Sequence, residues 1–159
     1  MPRDYLDRIP LHYAAAGGGI EVASTLLSIV NDSKLINPHA NEEANFLTPL
    51  HVAVTYADKR FVKFMLQRIT GNPNPKNKPG FKELGTVTPL DLALHYALWG
   101  NPRLPHTLHP EIYPEIAKLV LDKVQQKKLE DHDKCHHQCP TSNDNTRIQC
   151  YQPDLLLGI

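Results

Sequence analysis

One six-residue pattern occurs three times in this chain, as Ile9-Pro10-Leu11-His12-Tyr13-Ala14, Thr48-Pro49-Leu50-His51-Val52-Ala53 and Thr88-Pro89-Leu90-Asp91-Leu92-Ala93, with its prolines 39 and then 40 positions apart. Recurrence at near-constant spacing restricts the fold more than composition does. Each period is one supersecondary unit that cannot bury its apolar side alone, so the units must stack. The pattern also marks where helices start. Threonine before the first turn accepts hydrogen bonds from free backbone N–H groups, and proline at the first helical position gives up an N–H that had no partner.

Eleven residues after Pro10 comes Glu21-Val22-Ala23-Ser24-Thr25-Leu26-Leu27, and eleven after Pro49 comes Arg60-Phe61-Val62-Lys63-Phe64-Met65-Leu66. Both read as amphipathic second helices. The third counterpart, Glu115-Ile116-Ala117-Lys118-Leu119-Val120-Leu121, starts 26 residues after Pro89, so 15 extra residues separate the helices of that unit. The expected pairs are 10–17 with 20–30, 49–57 with 59–69, and 89–99 with 112–127. The stripe positions predict a shared core of Leu11, Ala14, Val22, Leu26, Leu50, Ala53, Val62, Leu66, Leu90, Ala93, Ile116 and Leu119.

From about Asp7 to Lys127 the sequence resembles the ankyrin repeat, whose signature is Thr-Pro-Leu-His-x-Ala with a period of roughly 33 residues. The resemblance implies an all-α solenoid in which an extended finger precedes each antiparallel helix pair. It divides the chain into an ankyrin-repeat domain, 1–127, with repeats of about 7–45, 46–85 and 86–127, and a Cys/His-rich tail, 128–159. Ile9 stands where the capping threonine belongs, so Ile9→Thr is expected to give the first helix an acceptor. Asp91 stands in place of the third histidine. The excess length falls beyond the second helices, in fingers around 31–45 and 70–85. The second of these, Gly71-Asn72-Pro73-Asn74-Pro75-Lys76-Asn77-Lys78-Pro79-Gly80, has almost no apolar content and reads as an exposed loop.

Lys plus Arg and Asp plus Glu both number 17, which removes the electrostatic basis for general nucleic-acid or anionic-membrane binding. No run approaches the roughly 18 apolar residues of a membrane span, and the N-terminal residues lack the apolar stretch of a secretory signal. The expected location is the cytoplasm, or the host cytosol for a secreted effector or viral protein. All three cysteines, Cys135, Cys139 and Cys150, lie near the C-terminal end, so no disulfide staples the repeats.

The chain holds no recognisable nucleophile–base arrangement and no phosphate-loop or zinc-protease motif. It reads as a non-enzyme with no cofactor. His12 and His51 read as structural, since the resemblance gives this histidine hydrogen bonds within and between repeats. Gly17-Gly18-Gly19 reads as a tight turn between helices in which at least one glycine reaches positive φ. Cys135, Cys139, Cys150 and one histidine offer four zinc ligands, but their spacing fits no usual knuckle, and no metal site is assigned.

The resemblance implies a protein partner, held by an adaptor or regulator through finger tips, first helices and the inserted loop. Carried over by position, it points to Thr55, Tyr56, His95 and Tyr96 as a contact strip, with Trp99 opening the insert. Tyr56 and Tyr96 offer large, fairly rigid surfaces with a polar handle. The rival reading is a targeting array serving zinc- or thiol-dependent chemistry in the tail. Leu155, Leu156 and Leu157 are expected to fold onto the Glu115–Gln126 helix as a cap, or else to dock on another protein.

Overall fold

The computed structural model describes residues 2–29, 36–41, 47–77, 86–104 and 111–137, with backbone alone for 133–137. Within them the chain forms α1 (Pro10–Gly17), α2 (Ile20–Ile29), α3 (Pro49–Thr55), α4 (Lys59–Arg68), α5 (Pro89–Trp99) and α6 (Ile112–His137). No strand occurs among the described residues. The fold is all-α.

Sequence chemistry accounts for the helix starts. Thr48 Oγ1 accepts from the His51 N–H at 3.4 Å, Thr88 Oγ1 from the Asp91 N–H at 3.1 Å, and Asp58 Oδ1 from the Phe61 N–H at 2.9 Å. Ile9 has the same extended backbone but no acceptor, and its side chain is wholly buried instead. Between α1 and α2 the chain turns through Gly18 at φ 66°, as the glycine run predicts. The matching residue between α3 and α4 is Ala57, held at φ 56° despite its Cβ.

Helices α1, α3 and α5 pack in one row and α2, α4 and α6 in a second, with each pair also packed across the rows. The middle unit is covered on both sides. Leu50, Ala53, Val54, Phe61, Val62 and Met65 are all fully buried, each large side chain contributing about 1.5–3 kcal/mol through burial. At the far end of the inner row the cover stops. Ala15 and Val54 are fully buried beneath the next unit, whereas the corresponding Leu94 is 47% exposed.

Most expected core residues are inside, but Val22 is not. It is 58% exposed, and Ala23 takes the buried position. Val22 lines an apolar groove with Pro10 and Tyr13. Leu26, Leu90 and Leu119 are half-buried.

The second finger departs from its expected exposure. Asn77 is 2% exposed: its N–H donates to the Val87 carbonyl at 2.9 Å and its Oδ1 accepts from the Val87 N–H at 2.6 Å. Asn74 Oδ1 accepts from the Leu90 N–H at 3.0 Å, as Asn37 Oδ1 accepts from the Leu50 N–H at 3.1 Å. Thus Asn37-Pro38 and Asn74-Pro75 are repeat elements that brace the helix after them. Polar composition there serves backbone groups, not solvent.

Helix α6 continues ten residues past the expected end at 127. No glycine or proline interrupts 115–137, and Lys127–Asp131 (3.0 Å) and Gln126–Glu130 (3.0 Å) pairs at i,i+4 support the added turns. The cysteines weighed as zinc ligands, Cys139 and Cys150, and the expected cap residues Leu155–Leu157 lie outside the described residues, as does the Cys135 side chain.

Candidate partner-binding face

Helices α1 and α3 are each tied to the unit after them by a histidine. His12 Nδ1 accepts from the Ile9 N–H at 3.1 Å, and His51 Nδ1 accepts from the Thr48 N–H at 3.3 Å and the Thr48 hydroxyl at 2.8 Å. Nε2 therefore carries the proton and donates forward, from His12 to the Leu47 carbonyl at 3.1 Å and from His51 to the Val87 carbonyl at 3.2 Å. Burial lowers both pKa values, that of His51 to about 4, against the opposing pull of the carbonyls. Both rings are structural, as expected. Asp91 keeps the helix-start role, its Oδ2 accepting from the Thr88 N–H and hydroxyl at 2.8 Å each, but a carboxylate has no proton to send forward.

Between the bases of the fingers and the C-terminal ends of α1 and α3 lies a cleft of about 250 Å³, lined among others by Arg8, His12, Tyr13, Thr55, Tyr56 and Arg103. Its near wall is rigid. Asp4 Oδ2 accepts from Arg8 Nε at 2.9 Å and from the Tyr13 hydroxyl, and the Arg8 guanidinium lies 4.6 Å over the Tyr13 ring. Desolvation works against ionisation of Asp4, yet hydrogen bonds from Tyr13 and from the backbone and side chain of Arg8 hold its carboxyl down at about 2.

The far wall comes from the insert. After Gly100, at φ 75°, Asn101 Nδ2 donates to the Thr55 carbonyl at 2.6 Å and to the Tyr113 hydroxyl at 2.7 Å. Asn101 Oδ1 accepts from the Arg103 N–H at 2.9 Å, closing a turn that sets Arg103 at the cleft.

The expected contact residues differ in exposure. Tyr56 is 47% exposed at the cleft and Trp99 is 78% exposed at the end of α5. His95 is half-buried. Thr55 and Tyr96 are buried, although Thr55 still lines the cleft. The Thr55 hydroxyl donates to the His51 carbonyl at 3.0 Å, and the Tyr96 ring packs on Tyr113 with centroids 5.3 Å apart. Arg8, Tyr13 and Arg103 are the cleft residues that the sequence reading missed. Tyr13 carried a signal, being an aromatic residue next to the repeat's histidine, whereas nothing local marks Arg103.

Among the described residues no group of three His, Cys, Asp or Glu is placed to hold a metal ion, and no helix is long and apolar enough to cross a membrane.

Comparison with known proteins gives one match. The family model for the ankyrin repeat fits residues 45–78, a stretch that begins just before Thr48 and takes in α3, α4 and the braced finger after them. No curated protein and no solved structure matches. Ankyrin repeats are in general protein–protein interaction modules. The one repeat matched by the family model, set within an all-helical fold, supports an ankyrin-repeat family.

Proposed function

We propose that this chain is a non-enzymatic binding module, an adaptor or regulator, that takes a segment of a partner protein along the inner helices, at the cleft beside Tyr56. The observation that carries this reading is the cleft itself: a concave site with a fixed Arg8–Asp4–Tyr13 wall and an exposed tyrosine, beside a matched repeat of a protein-binding family. Pre-set side chains lose little freedom on contact, which favours affinity. Trp99 is a second anchor on the same helix row. Aromatic side chains of this kind dominate interface energies when a partner desolvates them.

The test is affinity capture from the native cell, with wild-type and Tyr56→Ala chains as bait. A partner retained by the wild type, lost with Tyr56→Ala and restored with Tyr56→Phe supports the face, given an unchanged thermal midpoint. A partner held equally by the wild type, Tyr56→Ala and Tyr56→Ala/Trp99→Ala contradicts it.

A further inference from the structure

We infer that the cleft between α1 and α3 selects a partner segment carrying an aspartate or glutamate, and that Arg103, delivered by the inserted loop, is the residue that reads it. This rests on the proposed docking face and adds the chemistry of what docks there.

The charge arrangement is one-sided. Among the described residues, Arg8 and Arg103 are the only charged side chains lining the cleft. Asp4 lies beside Arg8 and pairs with it, Arg8 Nε and Nη2 both lying 2.9 Å from the one oxygen Oδ2. Arg103 has no such companion: it is exposed, and its guanidinium makes no ion pair or hydrogen bond among the described residues. Among the described residues the cleft therefore presents one cation without an ion-pair partner, Arg103, beside Tyr56, with a neutral His12 beneath and the Tyr13 hydroxyl taken up by Asp4. A basic segment meets like charge there, and a wholly apolar one strands Arg103 against it.

The placement is built. The insert breaks the regular helix-to-helix turn of the third unit, yet Asn101 pins it to the end of α3 and to Tyr113 by two short hydrogen bonds. A loop of the third unit thus supplies a wall of a cleft belonging to the first two. Guanidinium is suited to the task, since its planar fork matches a carboxylate through two parallel N–H bonds.

The experiment uses a phage library of random twelve-residue peptides, selected on the full chain. Enriched peptides are then titrated by fluorescence anisotropy against wild type, Tyr56→Ala, Arg103→Gln and the distant control Lys123→Gln. Peptides that lose at least tenfold in affinity with Tyr56→Ala should contain an Asp or Glu. Arg103→Gln should weaken them about tenfold, while the control leaves them unchanged. Replacing the peptide's acid by its amide should weaken wild-type binding and abolish the effect of Arg103→Gln. Tyr56-dependent peptides that are neutral or basic, or that bind Arg103→Gln as tightly as wild type, overturn this inference and leave the docking face standing. Peptides indifferent to Tyr56→Ala overturn the docking face itself. A phosphoserine version binding tenfold more tightly than its glutamate version overturns the assignment to a carboxylate.

Discussion

The Nε2 of His51 lies 3.2 Å from the carbonyl oxygen of Val87, so the second unit grips the third as His12 grips Leu47 of the second at 3.1 Å. One side chain starts its own helix and fixes the next unit. His51→Ala leaves the buried Thr48 N–H without this partner, at about 1–3 kcal/mol, and removes one of two hydrogen bonds to the Val87 carbonyl, which keeps the Asn77 N–H. Chemical denaturation should show His51→Ala more damaging than His12→Ala, because the first bond is less buried. Equal, small losses at both positions contradict this.

Acid should act through the same ring. His51 titrates at about 4 when folded, against an ordinary value near 6.5, because burial penalises the cation. His39 and His12 nearby also disfavour the cation, whereas Asp91 favours it. A depressed folded pKa means that the unfolded chain binds the proton first. The stabilisation is complete above about pH 6.5 and declines as pH falls toward 4. Thermal midpoints should drop between pH 7 and 5, with a shallower slope in His51→Ala. A wild-type midpoint flat across that window contradicts the assignment.

Gly18 and Ala57 occupy matching left-handed turns but should respond unequally to exchange. Gly18→Ala forces a Cβ to within 2.5 Å of Asp58 Oδ2, whose carboxylate caps α4, and also strains φ. A loss of about 1–2 kcal/mol is expected. Ala57→Gly relieves similar strain but gives up about 0.8 kcal/mol of methyl burial and frees the unfolded chain by about 0.4–1 kcal/mol, leaving it within about 1 kcal/mol of wild type. Urea midpoints separate the two.

Ile9→Thr looks stabilising by sequence and is not by structure. A threonine gains a cap of about 1 kcal/mol. Against that, Ile9 is fully buried, and full burial of such a side chain is worth about 1.5–3 kcal/mol, only part of which threonine keeps. A net loss of up to about 1 kcal/mol is expected. A clear gain in the denaturant midpoint contradicts the burial of Ile9.

Helix starts were legible in the sequence because their chemistry is local: Thr48-Pro49 and Thr88-Pro89 carry it within a few residues. Side-chain orientation at the stack ends was not. Val22 and Phe61 both stand twelve residues after their unit's proline, yet Val22 is exposed and Phe61 buried, because α4 packs against both α2 and α6 whereas among the described residues α2 has a second-row neighbour only in α4. Asn74 and Asn77 look like loop polarity in the sequence because their hydrogen-bond partners at Leu90 and Val87 lie 10 to 16 residues away. Arg103 reaches the cleft only through the bonds that Asn101 makes to Thr55 and Tyr113, and no pattern in the sequence pairs those positions.

The central structural claim is that the three units form one coupled stack, and hydrogen exchange in the Leu50→Ala chain tests it most directly. Leu50 is fully buried in the middle unit, and truncating it should cost about 2–5 kcal/mol. Because α3 and α4 pack against α5 and α6, peptides covering α5 and the buried part of α6 should lose protection by the same free energy as those covering α3. Wild-type protection in α5 and α6 alongside a weakened α3 would contradict the stack.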